Sequence, residues 1–127
     1  MSHRHVAIVV ALTPLVALAA VETTLAHARL VRASPAPSST LKAAPRLVRA
    51  VFNEELDPRG STLIVTDARG RRVDDGRGGV DLDDLDRKTL VVRLRALGPG
   101  TYTVRWRATS ADDQFVASGS FRFTIAR

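Results

Sequence analysis

The sequence predicts an all-β sandwich or small barrel of about seven strands, and three observations carry that expectation. Beyond residue 26 the apolar residues fall in short runs rich in Val, Leu, Thr and aromatic side chains, several with a period of two. Gly-, Pro-, Asp- and Ser-rich breaks separate the runs at short intervals, as in sandwiches and barrels. No convincing helical segment remains in that region. The chain has 127 residues, a single-domain length, and no cysteine. An apolar core must therefore hold it without disulfides, and thiolate metal sites and Cys nucleophiles are excluded.

Residues 1–26 read as a secretory signal peptide and 27–127 as the domain. Arg4, flanked by His3 and His5, gives a positive start, and Val6 to Val21 is an apolar run broken only by Thr13 and Pro14. Small residues at Thr24 and Ala26 suit cleavage after Ala26. An uncleaved membrane anchor is the competing reading. The run is short against the ~20 apolar residues usual for a span, and Pro14 interrupts it. Cleavage makes His27 both the first residue and the sole remaining histidine.

The domain then reads strand by strand. Ala28 to Ala33 is the first candidate, followed by a turn-rich break over Ser34 to Ser39. Leu47 to Phe52 alternates after Pro45, and Pro58-Arg59-Gly60 turns the chain into β-branched Thr62 to Thr66. Asp67 to Gly70 is a hairpin-type connection, and Val73 to Arg87 the longest expected loop. Thr89 to Leu94 resumes strand, and Gly98-Pro99-Gly100 turns it. Thr101 to Ala108 alternates cleanly, with Tyr102, Val104, Trp106 and Ala108 on one face and Thr103, Arg105 and Arg107 on the other. Ser118 to Ile125 closes the chain with Phe121, Phe123 and Ile125 on one face. The expected core is Phe52, Tyr102, Val104, Trp106, Phe121 and Phe123; the competing role for Trp106 is a ligand platform.

The formal charge is +6, with Arg dominating over Lys and both signs interspersed along the chain. Without a basic cluster interleaved with aromatic residues, no nucleic acid partner, DNA included, is expected. There is no Gly-x-Ser-x-Gly elbow, and Gly76-Arg77-Gly78-Gly79 lacks the Lys-Ser/Thr ending of a phosphate loop. The run Asp81-Leu82-Asp83-Asp84-Leu85-Asp86 lacks the ligand spacing of a calcium loop and reads as a solvated face. No enzyme signature survives. His27 is different, because an N-terminal histidine offers its α-amine and its ring nitrogen to one ion, and nitrogen donors in tetragonal geometry suit Cu(II). The bland alternative is that His27 only marks where the signal ended.

Four blocks stand out together: His27-Ala28-Arg29-Leu30-Val31 with Ser34-Pro35-Ala36, Phe52-Asn53-Glu54-Glu55-Leu56, Gly100-Thr101-Tyr102-Thr103-Val104-Arg105-Trp106-Arg107, and Ser110-Ala111-Asp112 with Gly119-Ser120-Phe121-Arg122-Phe123. In combination they resemble the CopC family of periplasmic copper-binding proteins. The resemblance implies a Greek-key β-sandwich, immunoglobulin-like and cupredoxin-like in outline. It also implies Cu(II) ligation by His27, Asp112 and, as in some members, Glu54. The family's late histidine falls on Gln114, a weaker ligand, and the connection from Asp112 to Gly119 is one residue longer than the family's. A methionine-rich Cu(I) site is absent, since Met1 is the only methionine.

The expectation is thus a periplasmic or secreted, monomeric carrier of Cu(II) serving copper homeostasis or resistance, with a CopD-like inner-membrane protein as possible recipient. The alternative is a domain of this fold that has lost metal binding and acts as an interaction module for a membrane partner.

Overall fold

The computed structural model describes residue 2, residues 7–14 and residues 27–127. The cleavage step expected at Ala26 and most of the expected signal lie outside the described residues. Among the described residues no helix is long and apolar enough to cross a membrane.

Among the described residues eight strands build two four-stranded sheets. They are β1 (Leu30–Ser34), β2 (Ser39–Leu41), β3 (Leu47–Phe52), β4 (Thr62–Thr66), β5 (Gly79–Val80), β6 (Thr89–Arg93), β7 (Gly100–Thr109) and β8 (Val116–Ile125). One sheet has the order β1-β3-β6-β5 and the other β2-β8-β7-β4. The chain changes sheet at every step from β1 to β5 and again between β6 and β7, so the two layers are interleaved in sequence. The β7–β8 hairpin is the longest element, paired in unbroken register from Gly100↔Ile125 to Thr109↔Val116.

The period of two is what makes the core. Val48, Ala50 and Phe52 from β3, Leu63 and Val65 from β4, and Leu90 and Val92 from β6 turn inward and are buried. Tyr102, Val104 and Ala108 meet Phe121, Phe123 and Ile125 across the hairpin and are buried with them. Tyr102 stacks on Phe123 and donates its hydroxyl to Gly98 O at 2.6 Å, which satisfies its polar end where the ring is buried. Of the six expected core residues, five are buried and Trp106 is half-buried. Its ring meets Phe52 edge-on, with centroids 5.0 Å apart, and belongs to the margin of the core.

Two short strands depart from the expectation of about seven. β2 lies at the end of the stretch read as a break and runs parallel to β8, with Ser39 opposite Phe123. Three residues at a sheet edge are too few to show a period. β5 lies within the expected long loop and is drawn into the sheet by Gly79↔Val91 and Val80↔Leu90. That loop is also fastened by a buried carboxylate. Asp74 accepts from Val65 N at 2.8 Å, from Gly76 N at 2.8 Å and from Arg72 Nη2 at 2.7 Å.

Strand direction decides what shares an end. β3 and β7 finish where β1, β4, β6 and β8 begin. One end of the sandwich therefore collects residues 27–29 and the loops 53–61, 81–88 and 110–115.

Candidate metal centre

Backbone hydrogen bonds lay these loops side by side. Arg29 N donates to Asn53 Oδ1 at 2.7 Å, and Asn53 N donates to Arg29 O at 3.1 Å. That pair holds the segment beginning at His27 against the one carrying Glu54. On the other side of the same loop, Leu56 bridges Ser110, Asp57 N donates to Thr109 O at 2.8 Å, and Ala111 N donates to Glu55 O at 3.0 Å. Glu54 thus lies on a loop flanked by the His27 segment and by the turn carrying Asp112 and Gln114.

The side chains take different stances within that frame. His27 is exposed, and its ring stacks on Phe115 with centroids 3.6 Å apart and an interplanar angle of 27°. Phe115 follows the 110–114 turn directly, so the stack carries the imidazole to that turn. Asp112 is exposed at the turn. Glu54 is half-buried, and its Oε1 atom is buried with no hydrogen-bond partner among the described residues; the same holds for the hydroxyl of Ser110 beside it. A buried carboxylate oxygen without a donor costs stability that a donor or a cation would restore. Among the described residues no three His, Asp or Glu side chains converge on one point.

Gln114 is engaged on its own turn. It adopts φ of 62°, and its amide nitrogen faces Ser110 O and Ala111 O at 3.4 Å each. Asp113 fixes the turn by accepting from Phe115 N at 3.0 Å. The Arg59 backbone N–H, and after it the Gln114 side chain, hold the Asp57 carboxyl below the usual carboxylate range.

The electrostatics of this end differ from what the order of residues suggests. Along the chain the two signs are interspersed; in the fold they separate. Loops 53–61, 81–88 and 110–115 hold Glu54, Glu55, Asp57, the four aspartates of 81–86, Asp112 and Asp113, nine of the 13 acidic residues. With residues 27–29 they hold four cations, namely Arg29, Arg59, Arg87 and Lys88. The acidic run 81–86 is a structured cap and not a loose loop. Asp84 accepts from Asp86 N, Lys88 N and Thr89 Oγ1, and Phe52 N and Leu56 N bond to Lys88 O and Arg87 O. A negative end gathers cations and suits one more positive ligand.

The arrangement matches a known family. The CopC domain model aligns with residues 30–126. The chain belongs to the CopC family. It is 34% identical over 107 residues to the copper transport protein CutJ of Bacillus subtilis, a match that covers 84% of this chain and 19% of that protein. It is 30% identical over 101 residues to protein YobA of Escherichia coli, covering 79% of each. Among solved structures, CopC from Methylosinus trichosporium superposes with a TM-score of 0.70 at 28% identity, over 79% of this chain and 94% of that one. PcoC, a methionine-rich copper resistance protein from Escherichia coli, gives 0.60 at 31%, over 79% and 99%. The relatives named for copper are thus transport and resistance proteins, and the sandwich is the family's fold.

Two features of this CopC-family end were not legible from motifs. Phe115 was not singled out, although an aromatic residue one position beyond Gln114 was a usable signal. The charge separation could not be read without knowing which loops meet.

Proposed function

We propose that the protein binds Cu(II) at the acidic end of the sandwich and carries it without redox chemistry of its own. The donors are His27, through its imidazole and, once residues 1–26 are removed, its α-amine, together with Glu54 and Asp112, side chains that share this end without converging on one point and that the ion would have to draw together; Gln114 is at most a weak contributor. The observation that carries this reading is the His27–Phe115 stack, which brings the sole histidine of the domain to the turn of Asp112, beside the loop where Glu54 keeps an unpaired oxygen. Imidazole and amine nitrogens with carboxylate oxygens form a donor set suited to Cu(II). The similarity to a copper transport protein and to a copper resistance protein supports it further. The proposed setting is the periplasm or the cell exterior, with the protein acting as a monomer and passing copper to a CopD-like membrane protein.

A titration with Cu(II), followed by electron paramagnetic resonance, tests this on protein whose N-terminus is shown by mass to be His27. The expected result is a one-to-one complex with nitrogen hyperfine structure, lost when one residue is added ahead of His27. Affinity should fall as pH drops through about 7.7–8.0, where the α-amine becomes protonated and protons compete with the ion. Binding no tighter than that of a generic peptide amine would overturn the reading. A second reading, a domain acting through protein contacts alone, is favoured by Gln114, whose side chain is engaged by Ser110 O and Ala111 O and by the Asp57 carboxyl.

A further inference from the structure

The end opposite the candidate centre is as cationic as the centre is acidic. The connections 42–46, 67–78 and 94–99 and residues 126–127 carry eight Lys and Arg side chains against three carboxylate side chains, those of Asp67, Asp74 and Asp75. Between the segment entering β3 and the segment leaving β6 lies a hollow of about 460 Å³, lined by Arg46, Arg93 and Arg95 with Pro45, Leu94 and Leu97 among the apolar residues. Its walls are fixed by backbone bonds, Leu94 N to Arg46 O and Arg95 N to Val73 O, both 2.8 Å. Leu94 and Leu97 pack against the core, so the inner wall is apolar. No carboxylate lines the hollow, and none of the three arginines is ion-paired among the described residues.

Three exposed guanidinium groups around one hollow repel one another until an anion joins them. Their planar forks match phosphoryl oxygens in pairs, a fit that single ammonium charges lack. An apolar wall beside the arginines favours an anion that carries a hydrocarbon portion over a bare inorganic one. We propose that this hollow takes the phosphoryl headgroup of an acidic phospholipid, so that the domain rests on an anionic membrane surface by its cationic end. Strands of ten residues rise ~3.3 Å per residue, which sets the acidic end roughly 30 Å away. That is several times the ~8–10 Å over which salt screens charge, so the lipid meets the cationic end alone and the acidic end faces away from it. The inference rests on charge and shape at this end and does not depend on copper.

Co-sedimentation with phosphatidylcholine vesicles, with and without phosphatidylglycerol, tests it on metal-free protein of known N-terminus. Binding should require phosphatidylglycerol and weaken with salt. Each arginine near an anionic surface multiplies affinity about fivefold, so the triple variant R46A/R93A/R95A should lose about a hundredfold. The single variant R95E gives a second reading should the triple variant fold poorly. An equal charge removed elsewhere, in R105A/R107A/R122A on the outer face of the other sheet, should cost far less. Equal losses in the two triple variants would reduce the effect to net charge and overturn the proposal. So would equal binding to vesicles lacking phosphatidylglycerol. Binding of free glycerol phosphate in solution, seen by phosphorus NMR without vesicle binding, would make the hollow a soluble-phosphate site and overturn membrane docking.

Discussion

At the scale of single residues, Asp74 shows how one carboxylate organises a long connection. Burial by itself would raise its pKa, but the Arg72 guanidinium and the N–H groups of Val65 and Gly76 outweigh that and hold it below the ordinary value. A carboxyl whose folded pKa is depressed adds stability above its unfolded pKa of about 3.9 and loses it as pH falls through the folded value. Thermal stability should therefore fall as pH drops below about 4. Asp74→Asn should cost about 3 kcal/mol at neutral pH and flatten that acid dependence, measured by urea unfolding at several pH values. The proposed copper site rests most on His27. His27→Ala leaves the β-sandwich intact, since the side chain is exposed, and should weaken Cu(II) binding at least about tenfold in a competitive titration by removing the imidazole donor.

At the scale of elements, the β7–β8 hairpin is held by close packing at one cross-strand pair. Trp106 stands opposite Gly119, and a Cβ on Gly119 would come within 2.7 Å of Trp106 Cε2. The indole occupies the space a side chain would need and reaches Phe52 beyond it. Gly119→Ala should destabilise the fold by about 1–3 kcal/mol and alter the Trp106 fluorescence. In a Trp106→Leu background the same change should cost much less, and unfolding of the four proteins as a double-mutant cycle checks the coupling. Gly78 has a stricter constraint, because its Cβ would strike the carbonyl oxygen of Leu63 in β4. Backbone cannot swing aside as a ring can, so Gly78→Ala should be the more damaging of the two in the same unfolding measurement.

At the scale of the whole molecule, the sandwich separates charge along its strand axis. A chain of formal charge +6 presents an acidic end at the candidate centre and a cationic end opposite. A ligand that binds only the folded state stabilises it, by about 2.7 kcal/mol at a hundredfold excess over Kd. Cu(II) at that excess should raise the thermal midpoint of the processed protein by roughly 10–20 °C, given 4–8 °C per kcal/mol for a domain near this size. The rise should vanish in His27→Ala and in protein extended by one residue before His27. Scanning calorimetry with and without the ion provides the check.

The order of residues determined most of the architecture. Period-two runs such as Thr101 to Ala108 fix which side chains point inward, because successive residues of a strand face opposite ways. That rule fixed the all-β class and placed five of the six expected core residues in the interior. It could not reveal β2 or β5, which are too short to carry a period and exist because a neighbouring strand offers them partners. The residues of the proposed site were named from the chemistry of a terminal histidine, for His27, and from the family resemblance, for Glu54 and Asp112. Only the tertiary structure decided their surroundings: the stack of His27 on Phe115, the Glu54 oxygen without a partner among the described residues, and the contacts of Gln114 with its own turn and with Asp57. The separation of charge belongs to the same class. Carboxylates far apart in sequence become neighbours when antiparallel strands return the chain to the same end, and that information resides in strand pairing and in no local run of residues.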